Sequence, residues 1–141
     1  MHYFPQSQVA ANNLAVLLLR EDKADEAEAV LNGLKEYSPE VLNTKAAVYV
    51  YKENNEKAIE LLQTNTELPQ ARYNLALLKA QERKLQEAYT LMRGYEDVNA
   101  AVVSLSVGDT QHAASIMDRC EDHTPLAEYV RALVAARMQK E

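Results

Sequence analysis

Tryptophan is absent from this 141-residue chain, which holds only one Cys, three Gly, four Pro and one Phe. A single thiol excludes an internal disulfide framework. Because helix-breaking residues are so few, and because Ala, Leu, Glu, Gln, Lys and Arg dominate, the composition predicts an all-helical protein. The length is that of one domain with a sizeable core.

The chain also lacks an excess of positive charge. Fifteen Lys and Arg are set against 21 Asp and Glu, which gives a net charge of −6. Such a surface does not attract nucleic acid phosphates or anionic lipids, so we expect no nucleic acid partner. The longest strongly apolar run, residues 14–19, is far too short to cross a bilayer, so we expect no direct membrane insertion of this segment.

Motifs of catalysis and cofactor binding are missing as well. The sequence has no glycine-rich phosphate loop and no nucleophile elbow of the G-x-S-x-G type, so we expect no enzyme activity and no cofactor. The nearest approach to a zinc site is a short cluster of His112, Cys120, Asp122 and His123. All four would have to converge around one helix end to bind zinc, so a half-buried thiol and two solvated histidines is the preferred interpretation.

The feature that the sequence does have is an internal repeat built on alanine. Alanines occur in pairs twelve residues apart, and the first alanine of the pair recurs at intervals of 31, 30 and 25 residues. The pairs are Ala15 and Ala27, Ala46 and Ala58, Ala76 and Ala88, and Ala101 and Ala113, and Ala132 begins a fifth unit without a second half. Four residues after each second alanine stands a large apolar residue: Leu31, Leu62, Met92 and Met117.

This register predicts about nine helices, arranged as four helix pairs and a last helix without a partner. The predicted helices are 6–20, 24–36, 39–52, 55–64, 69–82, 85–93, 96–106, 109–119 and 125–139. The predicted repeat units are 6–38, 39–68, 69–94, 95–124 and the half-unit 125–141, within a single domain 1–141. Helices of this length are marginal alone in water, so we expect successive units to stack on one another.

These residues resemble the tetratricopeptide repeat, a helix–turn–helix unit of about 34 residues with the pattern W-x₂-L-G-x₂-Y, A-x₃-F, P. In the first unit the matching residues are Ala11, Leu14, Ala15, Leu18, Ala27, Leu31 and Pro39. The third unit matches through YNLALL (73–78) and QEAYTLM (86–92). The resemblance implies a right-handed α-solenoid of about 4.5 degenerate repeats.

The chain departs from the family pattern in three ways. The signature tryptophan is missing, the units are shorter than in the family, and Lys45, Lys79 and Arg131 occupy positions that are usually apolar. Shorter units are expected to tighten or distort the superhelix.

The resemblance also implies a binding face along the first helix of each unit, where the family usually binds its ligands. Carried over to this chain, that face comprises Asn12, Val16, Leu19 and Arg20, then Asn43, Ala47, Val50 and Tyr51, then Tyr73, Leu77, Ala80 and Gln81, then Val98, Val102 and Leu105, and finally Tyr129, Leu133, Ala136 and Arg137. The lysines with which some members grip a terminal carboxylate are absent. A largely apolar face with tyrosines suits an extended or helical peptide, so we expect a non-catalytic protein–protein interaction module. The alternative is that tight curvature closes the face and makes these residues core.

A second resemblance concerns the compressed fourth unit and the last helix. The segments VNAAVVSLSVGDTQHAASIMD (98–118) and AEYVRALVAAR (127–137) are similar to the tetratricopeptide segment of Bacteroidetes cell-envelope proteins, which accompanies OmpA-like domains. This resemblance implies that the chain is an interior segment of a larger protein, and it favours the periplasm or cell envelope over the cytoplasm. In that setting the alternative function is a structural spacer that holds flanking domains apart without a ligand of its own.

Overall fold

The computed structural model describes residues 5–140, and the side chains of residues 8–140. This part of the chain forms nine α-helices and no β-strand, which confirms the all-helical prediction. The helices are α1 (Pro5–Arg20), α2 (Ala24–Asn32), α3 (Pro39–Tyr51), α4 (Asn55–Gln63), α5 (Pro69–Gln81), α6 (Leu85–Leu91), α7 (Val98–Ser106), α8 (Thr110–Arg119) and α9 (Pro125–Lys140).

Two helix boundaries differ from the prediction for reasons that local hydrogen bonds explain. Helix α2 ends four residues early, because the amides of Gly33 and Leu34 turn back to carbonyls three residues before them, at 3.3 and 3.1 Å. Helix α7 begins two residues late, because the side chain of Asp97 accepts a hydrogen bond from the Ala100 amide at 3.0 Å and acts as the N-cap.

The turn within each helix pair has the same backbone geometry in all four pairs. The turn residue has positive φ and lies seven positions after the first alanine: Asp22 (62°), Glu53 (61°), Arg83 (67°) and Gly108 (88°). The amide of the following residue then donates to a carbonyl five residues back, at 2.8, 2.8, 2.9 and 2.9 Å, as in a Schellman motif. The four helix pairs therefore share one construction, spaced as the alanine register is spaced.

The paired alanines lie in the interior of the protein. All eight are at most 1% exposed, and the large apolar residues four positions after each second alanine are buried as well. Small side chains allow the helices to approach closely, so the spaces beside them are filled by Leu or Met. Ala132 differs, because it is exposed on α9 and no described helix follows to pack against it.

The chain divides into two compact units, Met1–Leu75 and Ala76–Glu141, with the boundary inside α5. In the first unit α1 packs against α2, α3 packs against both, and α4 packs against α3. In the second unit α7 packs against α6 and α8, and α9 packs against α7 and α8. Each unit thus combines contacts between successive helices with contacts between helices two apart, as in helical-repeat proteins.

Arg131, which occupies a usually apolar position of the repeat, binds the backbone that follows α8. Its guanidinium donates to the carbonyl oxygens of Cys120 at 2.6 Å, Asp122 at 2.7 Å and Met117 at 3.5 Å, and to Glu128 Oε1 at 2.9 Å. The last carbonyls of a helix have no partner within the helix. Arg131 therefore supplies the C-terminal cap of α8 from the neighbouring helix.

Candidate functional site

Residues of α1 and α3 line an open groove of about 210 Å³ in the first unit. The lining residues are Val16, Leu19, Arg20, Asn43, Thr44, Ala47 and Tyr51. Six of the seven belong to the binding face that the resemblance implies, and Thr44 is the one addition. The structure therefore brings together most of the predicted residues of the first two repeat units.

The groove exists because α1 and α3 run parallel, side by side. Near their N-terminal ends the Ser38 amide donates to Gln8 Oε1 at 2.9 Å, which fixes the start of α3 to α1. Ser38 also caps α3, since its Oγ accepts from the Val41 amide at 3.2 Å. At the opposite end of both helices Arg20 and Tyr51 flank the groove.

The floor of the groove continues the hydrophobic core of the first unit. Leu19 is buried within a cluster that includes Ala15, Leu31, Val41 and Val48, and Ala47 packs against that cluster. Val16 and Ala47 are half-buried, so each presents part of its apolar surface to the groove. An apolar side chain bound here would lose water contact without displacing the core.

Two of the polar side chains in the groove are held by hydrogen bonds. Asn43 Oδ1 accepts from Asn74 Nδ2 at 3.0 Å, and Thr44 Oγ1 donates to the Glu40 carbonyl at 3.1 Å. Because its carbonyl oxygen is occupied, Asn43 has its NH₂ group left for a ligand. Asn12 and Asn43 are 31 residues apart, so the same side chain recurs at this point of the first two first helices.

Arg20 and Tyr51 are the exposed groups of the groove. Tyr51 is 51% exposed although it is a large aromatic residue. Arg20 is exposed, and its side chain forms no hydrogen bond or ion pair with the residues that the structure describes. The groove thus offers an apolar floor, one aromatic ring and one positive charge.

The remaining residues of the predicted face are found in three environments. The half-buried ones are Asn12, Tyr73, Leu77, Ala80 and Leu133. The exposed ones are Val50, Gln81, Val102, Tyr129, Ala136 and Arg137, and the buried ones are Val98 and Leu105. In the second unit, part of the predicted face is therefore core.

A second, smaller cavity of about 120 Å³ lies in the second unit beside Tyr89 and His112. The Tyr89 hydroxyl donates to Asp109 Oδ2 at 2.5 Å, and the other carboxylate oxygen caps α8 by accepting from the His112 amide at 3.0 Å. These bonds lower the pKa of Asp109, that from Tyr89 most, and the bond to Asp109 raises the pKa of Tyr89. In the sequence, only Asp109 pointed to this cluster, because it follows Gly108 and holds an N-cap position.

The residues of the short His/Cys/Asp cluster considered for zinc have different neighbours in the structure. The His112 ring meets the Tyr89 ring edge-on at 6.1 Å, Cys120 ends α8, and His123 Nδ1 lies 2.9 Å from Glu128 Oε1. Among the described residues, no three His, Cys, Asp or Glu side chains are grouped as a metal ion would require.

None of the helices in the described part of the chain has both the length and the apolar character needed to cross a membrane. Comparison with known proteins finds no family model, no curated protein and no solved structure that matches this chain. The tetratricopeptide resemblance therefore rests on the residues of this chain alone.

Proposed function

We propose that the chain is a module of degenerate tetratricopeptide-like repeats, forming a right-handed α-solenoid, that binds a peptide or protein partner without catalysis. The recurrence of one turn at four positions, spaced 31, 30 and 25 residues apart, supports the repeat assignment. The eight buried alanines support it too, because small buried residues at a fixed spacing suit closely packed helix pairs. The proposed partner surface is the groove between α1 and α3.

The observation that carries this proposal is the convergence of predicted binding residues on the α1–α3 groove. A volume of about 210 Å³ lies below the ~300–1,000 Å³ that is usual for small-molecule pockets. The groove therefore suits an anchoring side chain of a peptide better than a whole small ligand. Tyr51 offers a rigid aromatic surface for such an anchor, and Asn43 offers an amide donor to its backbone.

The experiment is a selection of peptides from a phage-displayed random library, followed by fluorescence polarisation with the selected peptide. We expect an apolar anchor residue in the selected sequences and a Kd of about 1–100 μM. Tyr51→Glu places a charge at the groove and is expected to weaken binding at least about tenfold. Circular dichroism of the variant checks that α3 remains folded.

Gln63→Glu is the matched control for the added charge, because Gln63 is exposed on α4 and does not line the groove. This variant is expected to bind the peptide as the unaltered chain does. Equal loss of binding in both variants would show that the charge, and not the groove, is responsible. A library that yields no binding peptide would contradict the proposal.

The second candidate function is a structural spacer within a larger bacterial cell-envelope protein, without a ligand of its own. The burial of Val98 and Leu105 favours it, because residues of the implied binding face serve as core in the second unit. A spacer requires neither peptide selection nor any effect of Tyr51→Glu beyond stability.

A further inference from the structure

We propose that the exposed face of α9 binds the exposed face of α1 in a second copy of this chain. The α9 face consists of Tyr129, Ala132, Leu133 and Ala136. The α1 face consists of Ala10, Asn13 and Leu17. The contact joins two different surfaces, so it is head-to-tail, and it lies apart from the α1–α3 groove residues Arg20 and Tyr51.

The packing of α3 against α1 within the chain provides the template for the α1 face. On α3 the residues Val41, Thr44 and Val48 are buried, at 1%, 6% and 1% exposure. Thirty-one residues earlier, Ala10, Asn13 and Leu17 hold the same register positions on α1, and all three are exposed. No helix among the described residues covers these three side chains, and Leu17 is accordingly 51% exposed. The α1 face thus presents the surface that α3 uses to pack on another first helix.

The α9 face presents the complementary surface. Ala132 corresponds to Ala15, so Tyr129, Leu133 and Ala136 correspond to Asn12, Val16 and Leu19. On α1, Ala15 and Leu19 are buried against the following helices, and Val16 lies beside α3. On α9 the counterparts are exposed or half-buried, and Tyr129 reaches 66% exposure. An α1 helix from a second copy would take the place beside α9 that α3 takes beside α1.

Charge complementarity favours a second copy of this chain as the occupant. The last turn of α9 is basic, with Arg137 and Lys140. The end of α1 and the start of α2 remain acidic, since five acids in residues 21–28 outnumber Arg20, Lys23 and the nearby Lys52, which pairs with two of them. If α9 lies parallel to α1, as α3 does, its basic end meets this acidic turn.

An ion pair of the same kind already joins neighbouring repeats within the chain. Lys52, just after α3, lies 3.1 Å from Asp25 Oδ1 and 2.9 Å from Glu28 Oε1 on α2. Exposed pairs of this kind are screened by salt, so the association is expected to weaken as ionic strength rises.

A head-to-tail contact leaves one α1 face and one α9 face open at the ends of every assembly. Such heterologous contacts add copies in series unless the rotation closes a ring. The chain is therefore expected to form a concentration-dependent series of oligomers, and an assembly that stops at a dimer would contradict the head-to-tail contact.

The test uses analytical ultracentrifugation of two single variants and of their mixture. Leu17→Glu spoils the α1 face, and Tyr129→Glu spoils the α9 face, so each variant alone is expected to associate at least about tenfold more weakly than the unaltered chain. Mixed together, the variants still hold one intact α9 face and one intact α1 face. The mixture is therefore expected to form a one-to-one dimer and nothing larger.

Gln111→Glu, on the exposed surface of α8, is the control for added negative charge and is expected to associate as the unaltered chain does. If either glutamate variant loses its circular dichroism, Leu17→Ser and Tyr129→Ser replace the pair. The proposal is overturned if the unaltered chain stays monomeric up to about 1 mM, where even a weak contact would be populated. It is also overturned if the single variants associate normally or if the mixture gives no dimer.

Discussion

The positive φ angle at Glu53 predicts that replacing this residue by glycine stabilises the protein. A side chain in the left-handed region costs ~1–2 kcal/mol, because Cβ crowds the carbonyl oxygen. Glycine removes that cost but loses ~0.5–1 kcal/mol more conformational entropy on folding. The difference predicts that Glu53→Gly raises the free energy of unfolding by about 0.5 kcal/mol. No described hydrogen bond or ion pair involves the Glu53 side chain, so nothing else is lost.

The assay is guanidinium unfolding followed by far-UV circular dichroism, with Glu53→Ala as the matched control. Alanine removes the carboxylate but keeps Cβ, so it retains the strain and is expected to give no gain. Gly108 holds the same turn position in the fourth helix pair, and Gly108→Ala is expected to lower stability by about 1 kcal/mol. Equal effects of glycine and alanine at position 53, or a gain from Gly108→Ala, would refute the reasoning.

Three further predictions concern a helix cap, a titrating group and the core. Arg131→Met leaves the carbonyls of Cys120 and Asp122 without their partner, and urea unfolding is expected to show a loss of ~1–3 kcal/mol. The pKa of Asp109 is lowered from its ordinary 3.8, so the stabilisation from its carboxylate is present above that ordinary pKa and is lost as pH falls through the folded pKa. The stability difference from Asp109→Asn should therefore shrink in acid, and a constant difference would contradict this. Leu31→Ala should cost ~2–5 kcal/mol in thermal unfolding, since Leu31 is fully buried.

The helix pairs were predictable because the first alanines of the pairs and the turn residues are spaced by the same numbers of residues along the sequence. Alanine is needed wherever two helices approach closely, so its spacing follows the spacing of the units. The left-handed residues of those turns were not predictable. Glycine is the usual sequence signal for positive φ, yet Asp22, Glu53 and Arg83 occupy three of the four positions.

The candidate site was predictable in the first two units and less so afterwards. The interval of 31 residues between the first two units keeps Asn12 and Asn43 in the same place on α1 and α3. The fourth unit is shorter, and α7 has nine residues where α3 has 13. In this unit Val98 is buried where its register counterparts Asn12, Asn43 and Tyr73 are half-buried, whereas Leu105 is buried as its counterpart Leu19 is.

Binding of a peptide in the α1–α3 groove can be followed residue by residue in an NMR titration. A selected peptide would be added to the ¹⁵N-labelled chain while amide chemical shifts are followed. We expect the shift changes to saturate with the Kd from polarisation, and we expect the largest changes at the amides of the groove residues Val16, Arg20, Asn43, Ala47 and Tyr51. Saturable changes confined to residues outside the groove, with these five amides unmoved, would contradict it.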